Sequence, residues 1–314
     1  MENVNIATRD AYGNTLAALA TENPNVVVLD ADLSKSTKTA NFQKVAPERF
    51  INAGIAEQNM VGVAAGLAAS GKIPFVSSFA VFATGRAFEQ IRNSVAYPNL
   101  NVKIAATHAG ITVGEDGGSH QSVVDIALMR SLPNMTVLVP ADATETEQMV
   151  RWAADYQGPV YIRLGRLAVP QLNNGNRSFD LYRGELLSPG SDIAIFACGM
   201  MVAQALEAAE LLRAEGISAV VANIHTLKPL DEEFITELAA HTGAVITVEE
   251  HSIIGGLGSA VAETLSAHCP VLLQRVGIPD QFGQSGSPQA LLKHYGLTAE
   301  AIAMQAKSVL ARKK

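Results

Sequence analysis

The stretch VKIAATHAGITVGEDGGSHQ, residues 102–121, joins a strand pattern to a loop rich in chemically useful side chains. Val102–Ala106 is an apolar run typical of a buried strand, and the loop after it holds two histidines, two acids and four glycines. Ligands of parallel α/β sheets bind outside the carboxyl ends of the strands, so we expect this loop to line a ligand site. The glycines permit positive φ, and histidine can bind phosphate or move protons near neutral pH. The plainer interpretation is a surface turn in which Ser119 caps the next helix.

On both sides of this stretch, short β-branched runs alternate with Ala- and Leu-rich helical patterns. Further strands are predicted at Val26–Leu29, Ile73–Val76, Met135–Val139 and Val160–Ile162. Helices are predicted at Asp10–Glu22, Glu57–Ala69, Gly85–Ala96, Ser122–Arg130 and Thr144–Tyr156. Helices that alternate with continuous apolar strands indicate an α/β fold, with a parallel sheet covered on both faces.

A second α/β set follows a break in composition. The segment Gly165–Pro189 is rich in turn formers, among them Gln171–Asn176, and poor in apolar periodicity. After it, strands are predicted at Ile193–Phe196, Ala219–Val221, Ala244–Val248 and Val271–Leu273, with helices between them and a last helix at Thr298–Leu310. The sequence therefore predicts a first domain at residues 1–166, a linker at 167–189 and a smaller α/β domain at 190–314.

Composition excludes several classes of protein. The chain has 314 residues, a hydrophobic content of 48% and a formal net charge of −7, which argues against nucleic acid or an anionic membrane as the main partner. Two cysteines are too few for a disulfide framework, and the start lacks the pattern of a signal sequence, so we expect a cytoplasmic protein. The apolar stretch Ile193–Leu212 contains Gly199 and polar residues, which predicts a buried strand and an amphipathic helix rather than a membrane span.

Four other features have plain structural interpretations when each is taken alone. Glu57 opens an apolar helix, where a carboxylate favours the helix dipole, and Phe79 and Phe82 are spaced like core residues. Gly255-Gly256-Leu257-Gly258 could hold an anion at a helix N-terminus, but it lacks the full Gly-x-Gly-x-x-Gly pattern, so close packing or a subunit contact is favoured. Cys198 and Cys269 have no metal-ligand spacing and are predicted to be buried thiols.

Taken together, three motifs are more specific than any of their residues alone. The segments IAEQNM (55–60), SFAVF (78–82) and GEDGGSHQ (114–121) resemble the pyrimidine-binding domain of transketolases, in the expected order. The second domain, with VEEH (248–251) and GGLG (255–258), is similar to the C-terminal domain of the same thiamine-diphosphate superfamily. The resemblance implies a pyrimidine-binding, parallel-sheet domain followed by a smaller α/β domain.

The resemblance also implies roles at the cofactor. Glu57 matches the glutamate that hydrogen-bonds a ring nitrogen of the aminopyrimidine and favours the imino tautomer, which deprotonates the thiazolium carbon. Phe82 matches the aromatic that stacks on the pyrimidine, Phe79 lines the same pocket, and Asp32 matches an acid near the cofactor or sugar. The cofactor supplies the carbanion chemistry, and the protein supplies orientation and electrostatics.

Further matches concern the sugar substrate. His120 matches a histidine that contacts carbonyl or hydroxyl oxygens, and Asp116 matches an acid that binds a substrate hydroxyl. The residues that match phosphate ligands are Arg9, Ser36, His108 and Arg166, and guanidinium groups bind phosphate in a bidentate manner. Two departures bear on sugar specificity: Ala109-Gly110 replaces the Asp-Ser common in full-length transketolases, and Gly118-Ser119 replaces Pro-Thr.

Transketolases hold the cofactor diphosphate through Mg²⁺ on a Gly-Asp-Gly segment, which this sequence lacks. The resemblance therefore implies the C-terminal subunit of a split transketolase, with no metal ligands of its own. Thiamine diphosphate and Mg²⁺ are expected to be held mainly by a separate N-terminal, diphosphate-binding subunit. The resemblance also implies that this chain associates with itself through both domains, which gives an α2β2 assembly. Such an assembly would act on sugar phosphates in carbohydrate metabolism, such as pentose phosphate metabolism. The alternatives are a β subunit of a 2-oxo acid dehydrogenase, a fragment of deoxyxylulose-phosphate synthase and a non-catalytic transketolase-like scaffold.

Overall fold

The computed structural model describes residues 5–172 and 178–313. In the first part of the chain the strands are β1 (Asn5–Ala7), β2 (Val26–Asp30), β3 (Phe50–Asn52), β4 (Ile73–Ser77), β5 (Lys103–Ala106), β6 (Thr136–Leu138), β7 (Val160–Arg163) and β8 (Ala168–Pro170). The helices there are α1 (Thr8–Glu22), α2 (Ser34–Thr37), α3 (Ala40–Val45), α4 (Glu57–Ala69), α5 (Phe88–Gln90), α6 (Asp125–Arg130) and α7 (Ala143–Asp155). A 3-10 turn spans Pro47–Arg49, and π-helical turns, which hold more residues per turn than an α-helix, span Val81–Arg86 and Ile91–Ala96.

The second part begins with β9 (Glu185–Ser188). Its remaining strands are β10 (Ile193–Ala197), β11 (Ala219–Asn223), β12 (Thr226–Lys228), β13 (Ala244–Ser252) and β14 (Leu272–Ile278). Its helices are α8 (Met201–Ala214), α9 (Glu232–Thr242), α10 (Leu257–His268), α11 (Pro288–His294) and α12 (Ala299–Leu310).

Two main sheets organise the chain. The first has the strand order β12-β6-β7-β5-β4-β2-β3, and it is parallel except for β12, which pairs antiparallel with β6. The second has the order β14-β13-β10-β11-β9, with β9 antiparallel. A small antiparallel pair joins β1 to β8. The predicted α/β class with parallel sheets is therefore confirmed, and β12 carries the second half of the chain back to the first sheet.

Buried side chains cover both faces of the first sheet, as a continuous apolar strand requires. Along β2, Val26 and Val28 pack in a cluster with α1 and α7, whereas Val27 and Leu29 pack in a cluster with α4. The second of these clusters continues into the other half of the chain, where it includes Phe196 of β10. The two halves therefore share one apolar core in addition to the β12 pairing.

Several predicted boundaries need correction. The helix predicted at Gly85–Ala96 is a succession of short and wide turns that starts at Val81. The helix predicted from Ser122 begins at Asp125, because Ser122 forms backbone bridges with Ala109 and Gly110. Ser119 therefore caps no helix; its hydroxyl lies 3.0 Å from Nδ1 of His120.

The segment predicted as a linker, residues 167–189, contains β8 and β9. Its residues 173–177, which include most of the turn-rich stretch, lie outside the described residues. The stretch Ile193–Leu212 forms β10 and α8, as predicted. Among residues 5–172 and 178–313, no helix combines the length and the apolar character that crossing a membrane requires.

Candidate functional site

The carboxyl ends of five neighbouring parallel strands bring the predicted site residues to one edge of the first sheet. The strands β3, β2, β4, β5 and β7 lie side by side in this order. The loops that leave them carry most of the predicted site, and α4 starts at Glu57 soon after β3. This is the edge at which parallel α/β sheets bind ligands.

Glu57 is buried and forms an ion pair with Arg86, a residue that no sequence motif indicated. Glu57 is 2% exposed, and Nη1 of Arg86 donates to both of its carboxylate oxygens at 2.9 Å. The Arg86 side chain is half-exposed, and its guanidinium carbon lies 4.6 Å from the centre of the Phe82 ring. The spacing of four residues between Phe82 and Arg86 is the one available signal, since residues so spaced share a helix face.

Two phenylalanines and two histidines form one aromatic cluster beside Glu57. The rings of Phe79 and Phe82 are nearly parallel with centroids 6.0 Å apart, and Phe79 stacks on His108 at 3.8 Å. The His120 ring meets Phe82 edge-on at 5.3 Å. Phe79 is buried and Phe82 is only partly so, which leaves Phe82 able to present a ring face to a ligand. Spacing alone would assign both rings to the core; Phe79 is indeed buried, but it also stacks on His108, and Phe82 meets His120.

A partly buried arginine and a neutral histidine lie on the far side of Phe79. Nη1 of Arg9 donates to Nε2 of His108 at 2.9 Å and to the Ser36 carbonyl at 3.1 Å. Burial, followed by the nearby Arg9 and Arg166 guanidiniums, lowers the pKa of His108 to about 3. The ring is therefore neutral, and because Nε2 accepts from Arg9, its proton is assigned to Nδ1, which lies 2.8 Å from the Thr107 hydroxyl.

This cationic group has the properties of an anion site. Burial lowers the pKa of Arg9, and the charge of Arg166 adds to this effect. Among the described residues, Nε of Arg9 is buried and has no hydrogen-bond partner. Ser36 faces Arg9 through its backbone carbonyl. A partly buried guanidinium with a buried, unused Nε–H donor, close to a second arginine, suits a phosphate or another oxyanion.

Two predicted acids lie at the margin of the site. Asp32 has a φ of 64° and accepts from Nδ2 of Asn52 at 3.1 Å, so its described hydrogen bond is to the adjacent strand end and not to the aromatic cluster. Asp116 is exposed, and its carboxylate lies 3.8 Å from Nη1 of Arg166, which also donates to the Val113 carbonyl. Asp116 and Arg166 are thus neighbours at the mouth of the site.

The glycine-rich turn at 255–258 binds an internal anion. The Glu249 carboxylate accepts from the backbone amides of Leu257 at 2.7 Å and Gly258 at 2.8 Å. A Cβ on Gly256 would lie 1.9 Å from that carboxylate. Burial raises the pKa of Glu249 to about 7 even though both amides favour the charged form. The turn is therefore a packing motif, as the sequence analysis favoured.

The cysteines follow the predicted pattern in part. Cys198 is buried, and burial raises the pKa of its thiol, which makes it inert. Cys269 is only partly buried. Within the described residues, no group of three or more His, Cys, Asp or Glu side chains is arranged to hold a metal ion.

The Glu57 site fits an aminopyrimidine ring. Arg86 acts there as a stand-in: its planar guanidinium donates N–H groups to the carboxylate and lies over the Phe82 ring. An aminopyrimidine offers the same two features as this guanidinium: a polar edge that can bond to the carboxylate and a flat face that can stack on the aromatic ring. A parallel-sheet domain with this carboxylate–aromatic pair, joined to a second α/β domain, defines the class of thiamine-diphosphate enzymes that the motifs indicated.

Comparison with known families agrees with this class. The model described as "Transketolase, pyrimidine binding domain" matches residues 4–171, and "Transketolase, C-terminal domain" matches residues 183–302. The chain belongs to the transketolase family.

Three relatives show the range within the family. A putative transketolase C-terminal section of Methanocaldococcus jannaschii is 54% identical over 94% of this chain and 93% of its own length. A 6-deoxy-6-sulfo-D-fructose transketolase subunit of Clostridium sp. is 46% identical over 97% of this chain and 95% of its own. A 1-deoxy-D-xylulose-5-phosphate synthase of Caldanaerobacter subterraneus is 40% identical over 94% of this chain but 47% of its own.

Solved structures repeat this contrast in length. A structure titled "Split gene transketolase, inactive beta4 tetramer" has a TM-score of 0.92 and 58% identity, covering 98% of this chain and 100% of its own. A Pichia stipitis transketolase in complex with sedoheptulose-7-phosphate has a TM-score of 0.85 and 27% identity, covering 99% of this chain and 46% of its own. The chain thus spans nearly all of the split protein and about half of the long one.

Proposed function

We propose that this chain is the C-terminal subunit of a thiamine-diphosphate-dependent transketolase. It would transfer a two-carbon ketol unit from a ketose phosphate, or a similar anionic ketose, to an aldose acceptor. The observation that carries the proposal is the buried Glu57 carboxylate beside the Phe82 ring, occupied by the planar cation of Arg86. A non-catalytic scaffold has no need of a buried carboxylate placed against an aromatic face.

Glu57 and the two phenylalanines would act on the cofactor. Thiamine diphosphate, when bound, supplies a thiazolium carbon that becomes nucleophilic once it loses its proton. Glu57 would hold the proton at a ring nitrogen of the aminopyrimidine, in a buried place where a carboxylate–nitrogen contact is strong. Phe82 would stack on the ring, Phe79 would support Phe82 from behind, and Arg86 would have to release the carboxylate.

The other site residues would bind the sugar. His120, edge-on to Phe82, would contact carbonyl or hydroxyl oxygens near the reacting carbon, and Asp116 would accept from a sugar hydroxyl. Arg9, with its unused Nε, would bind the terminal anion together with Arg166, while Ser36 and His108 orient the guanidinium. A phosphate and a sulfonate present similar oxygens, which agrees with the sugars named for two of the similar proteins.

A separate subunit would complete the site. The relatives and the structure that this chain spans almost completely are described as a section, a subunit and a split-gene protein. The partner would hold the diphosphate through Mg²⁺ on Gly-Asp-Gly, since Mg²⁺ prefers oxygen ligands and phosphate. We propose an α2β2 heterotetramer in the cytoplasm, with this chain associating through both its domains.

Reconstitution tests the proposal. The purified chain is mixed with a separately expressed diphosphate-binding subunit, thiamine diphosphate and Mg²⁺, and ketol transfer from xylulose 5-phosphate to ribose 5-phosphate is measured. We expect turnover from the mixture and none from either subunit alone.

Full activity from the lone chain would refute the split. An assembled complex that decarboxylates pyruvate but transfers no ketol unit would favour a 2-oxo acid dehydrogenase or a deoxyxylulose-phosphate synthase instead. The acceptor then separates these two, since the first transfers to a lipoyl group and the second to glyceraldehyde 3-phosphate.

A further inference from the structure

A buried carboxylate from the second half of the chain enters the loop that carries the site histidines. Glu250 lies near the end of β13 and is 3% exposed. Its Oε1 accepts from the Thr112 backbone amide at 2.6 Å, and the Ile111 amide also donates to the carboxylate. The substrate loop, residues 107–121, is thus held at its first turn by a residue that lies 138 positions further along the chain.

Gly110 leaves the space that this carboxylate fills. Its φ is +82°, and a Cβ built on it would lie 2.2 Å from the carboxyl carbon of Glu250. No side chain fits there while Glu250 keeps its place, and the backbone conformation itself favours glycine. Gly110 is also one of the positions at which this chain departs from the Asp-Ser of full-length transketolases. The glycine at position 110 and the Glu250 carboxylate are therefore complementary, since each needs the other in order to pack there.

The Glu250 backbone is fixed independently of the loop. Nη2 of Arg163 donates to the Glu250 carbonyl at 2.9 Å, and Nε of the same arginine pairs with Asp125 at 2.7 Å. The Tyr161 hydroxyl donates to that Asp125 oxygen, also at 2.7 Å. These groups are buried, so each constrains the others. The carboxylate thus projects from a rigid base into the substrate loop.

The loop passes this constraint to the site. His108 precedes Gly110 by two residues and has a φ of 57°, a conformation that a non-glycine residue keeps only when its surroundings hold it. The Gly110 amide donates to the Ser122 carbonyl at 2.8 Å, which ties the start of the loop to the residue that follows it. Between these points lie Asp116 and His120. A shift of the turn at 110–112 would move the groups that meet the sugar.

We propose that Glu250 is a positioning residue that sets the geometry of the substrate loop from the second domain. The inference rests on the proposed function, since it assigns the loop to sugar binding. Glu250 touches neither sugar nor cofactor in this account and acts through the Ile111 and Thr112 amides. Gly110 is its required counterpart.

Glu250→Gln in the reconstituted complex tests the inference. The amide keeps the shape of the side chain but removes its charge and turns one of its two acceptors into a donor. We expect the KM for both sugars to rise about tenfold, because the loop loses a charge-assisted hydrogen bond, while the Kd of thiamine diphosphate stays within about twofold. Hydrogen exchange in the peptide that contains 107–121 should become faster.

Glu249→Gln is the matched control. Glu249 is the neighbour of Glu250 in the chain and is equally buried, and its carboxylate also accepts from two backbone amides, which belong to Leu257 and Gly258 and not to the substrate loop. The substitution should lower the Tm and leave both the KM and exchange in the loop unchanged. If Glu250→Gln does not assemble, Glu250→Asp keeps the charge, shortens the reach and should raise the KM to a lesser degree. An unchanged KM in Glu250 variants, or an equal change in Glu249→Gln, would overturn the inference. A wild-type complex without ketol transfer would instead overturn the proposed function.

Discussion

Arg9 shows how much of the site depends on single side chains. Its guanidinium donates to His108 and to the Ser36 carbonyl, yet its buried Nε lacks a partner within the described residues. A buried, unused donor on a cation is costly unless a ligand satisfies it. The resemblance predicted Arg9, His108 and Ser36 as phosphate ligands, and the structure brings all three together.

Arg9→Gln should separate phosphate binding from the rest of catalysis. We expect the KM for phosphorylated sugars to rise roughly tenfold to hundredfold, the range of a lost charge-assisted hydrogen bond, and the KM for an unphosphorylated ketose to change little. Steady-state kinetics of the reconstituted complex measure both. Arg49→Gln is the control, because that guanidinium donates to the Asn23 and Val26 carbonyls at 3.0 and 3.2 Å and should affect stability alone. Equal changes for both kinds of sugar would exclude Arg9 from the anion site.

Other site residues could not be predicted from the sequence. Arg86 and Glu250 act through contacts with residues 29 and 138 positions away. Arg86 lies outside the recognised motifs, and Glu250 lies in VEEH (248–251), a motif that does not show which loop its carboxylate contacts. Glu57 and Phe82 belong to short motifs of fixed order. The resemblance therefore predicted the residues that are proposed to meet the ligand, whereas the contacts that hold those residues required coordinates.

At the scale of elements, continuous apolar runs were the reliable signal. Val26–Leu29 predicted β2 within one residue, because a strand that is buried on both faces is an unbroken run of apolar residues in the sequence. Five short strands of three or four residues were not predicted, since such short edge strands carry no periodicity: β1, β3, β8, β9 and β12. The turns between Val81 and Ala96 departed from the predicted regular helix for a similar reason, since apolar spacing does not report helical pitch.

The contact between α7 and β11 joins the two halves of the chain through a buried acid. Oε2 of Glu145, in the first turn of α7, accepts from the Ala141 amide at 2.6 Å, and Oε1 accepts from Nδ2 of Asn223 at 2.9 Å. Burial, with smaller effects from nearby acids, raises the pKa of Glu145 to about 8, against an ordinary value of 4.5. Between pH 4.5 and 8, Glu145 is therefore protonated in the folded protein but ionised in the unfolded chain. This group's contribution to stability is complete below pH 4.5 and is lost as the pH rises through 8.

Glu145→Gln should remove the pH dependence that this group contributes to stability. Between pH 7 and 8 other buried groups, Glu249 and Lys103 among them, also contribute to the slope of stability against pH, and they contribute equally in the variant and in wild type. We therefore expect the slope of the free energy of unfolding against pH to be more positive in the variant than in wild type, by about 1 kcal/mol per pH unit. Urea unfolding at several pH values measures this slope. Glu147→Gln, a partly exposed position on the same helix, should leave it unchanged, and equal slopes for Glu145→Gln and wild type would contradict the argument.

At the scale of the whole molecule, the two halves are interdependent. β12 completes the first sheet, one apolar cluster extends through both halves, and Glu250 supports the substrate loop. The second half is therefore more than an appended domain, which linear boundaries drawn from composition could not show.

The most direct measurement is the turnover of the reconstituted complex with Glu57→Ala in this chain. We expect the variant to associate with the diphosphate-binding subunit as wild type does, measured by analytical ultracentrifugation. Its kcat for ketol transfer should nevertheless fall by about a hundredfold or more, since no carboxylate then holds the proton at the pyrimidine nitrogen. Glu89→Ala, an exposed acid of the same domain, should retain full turnover. Wild-type turnover in the Glu57→Ala complex would show that Glu57 does not have the proposed role.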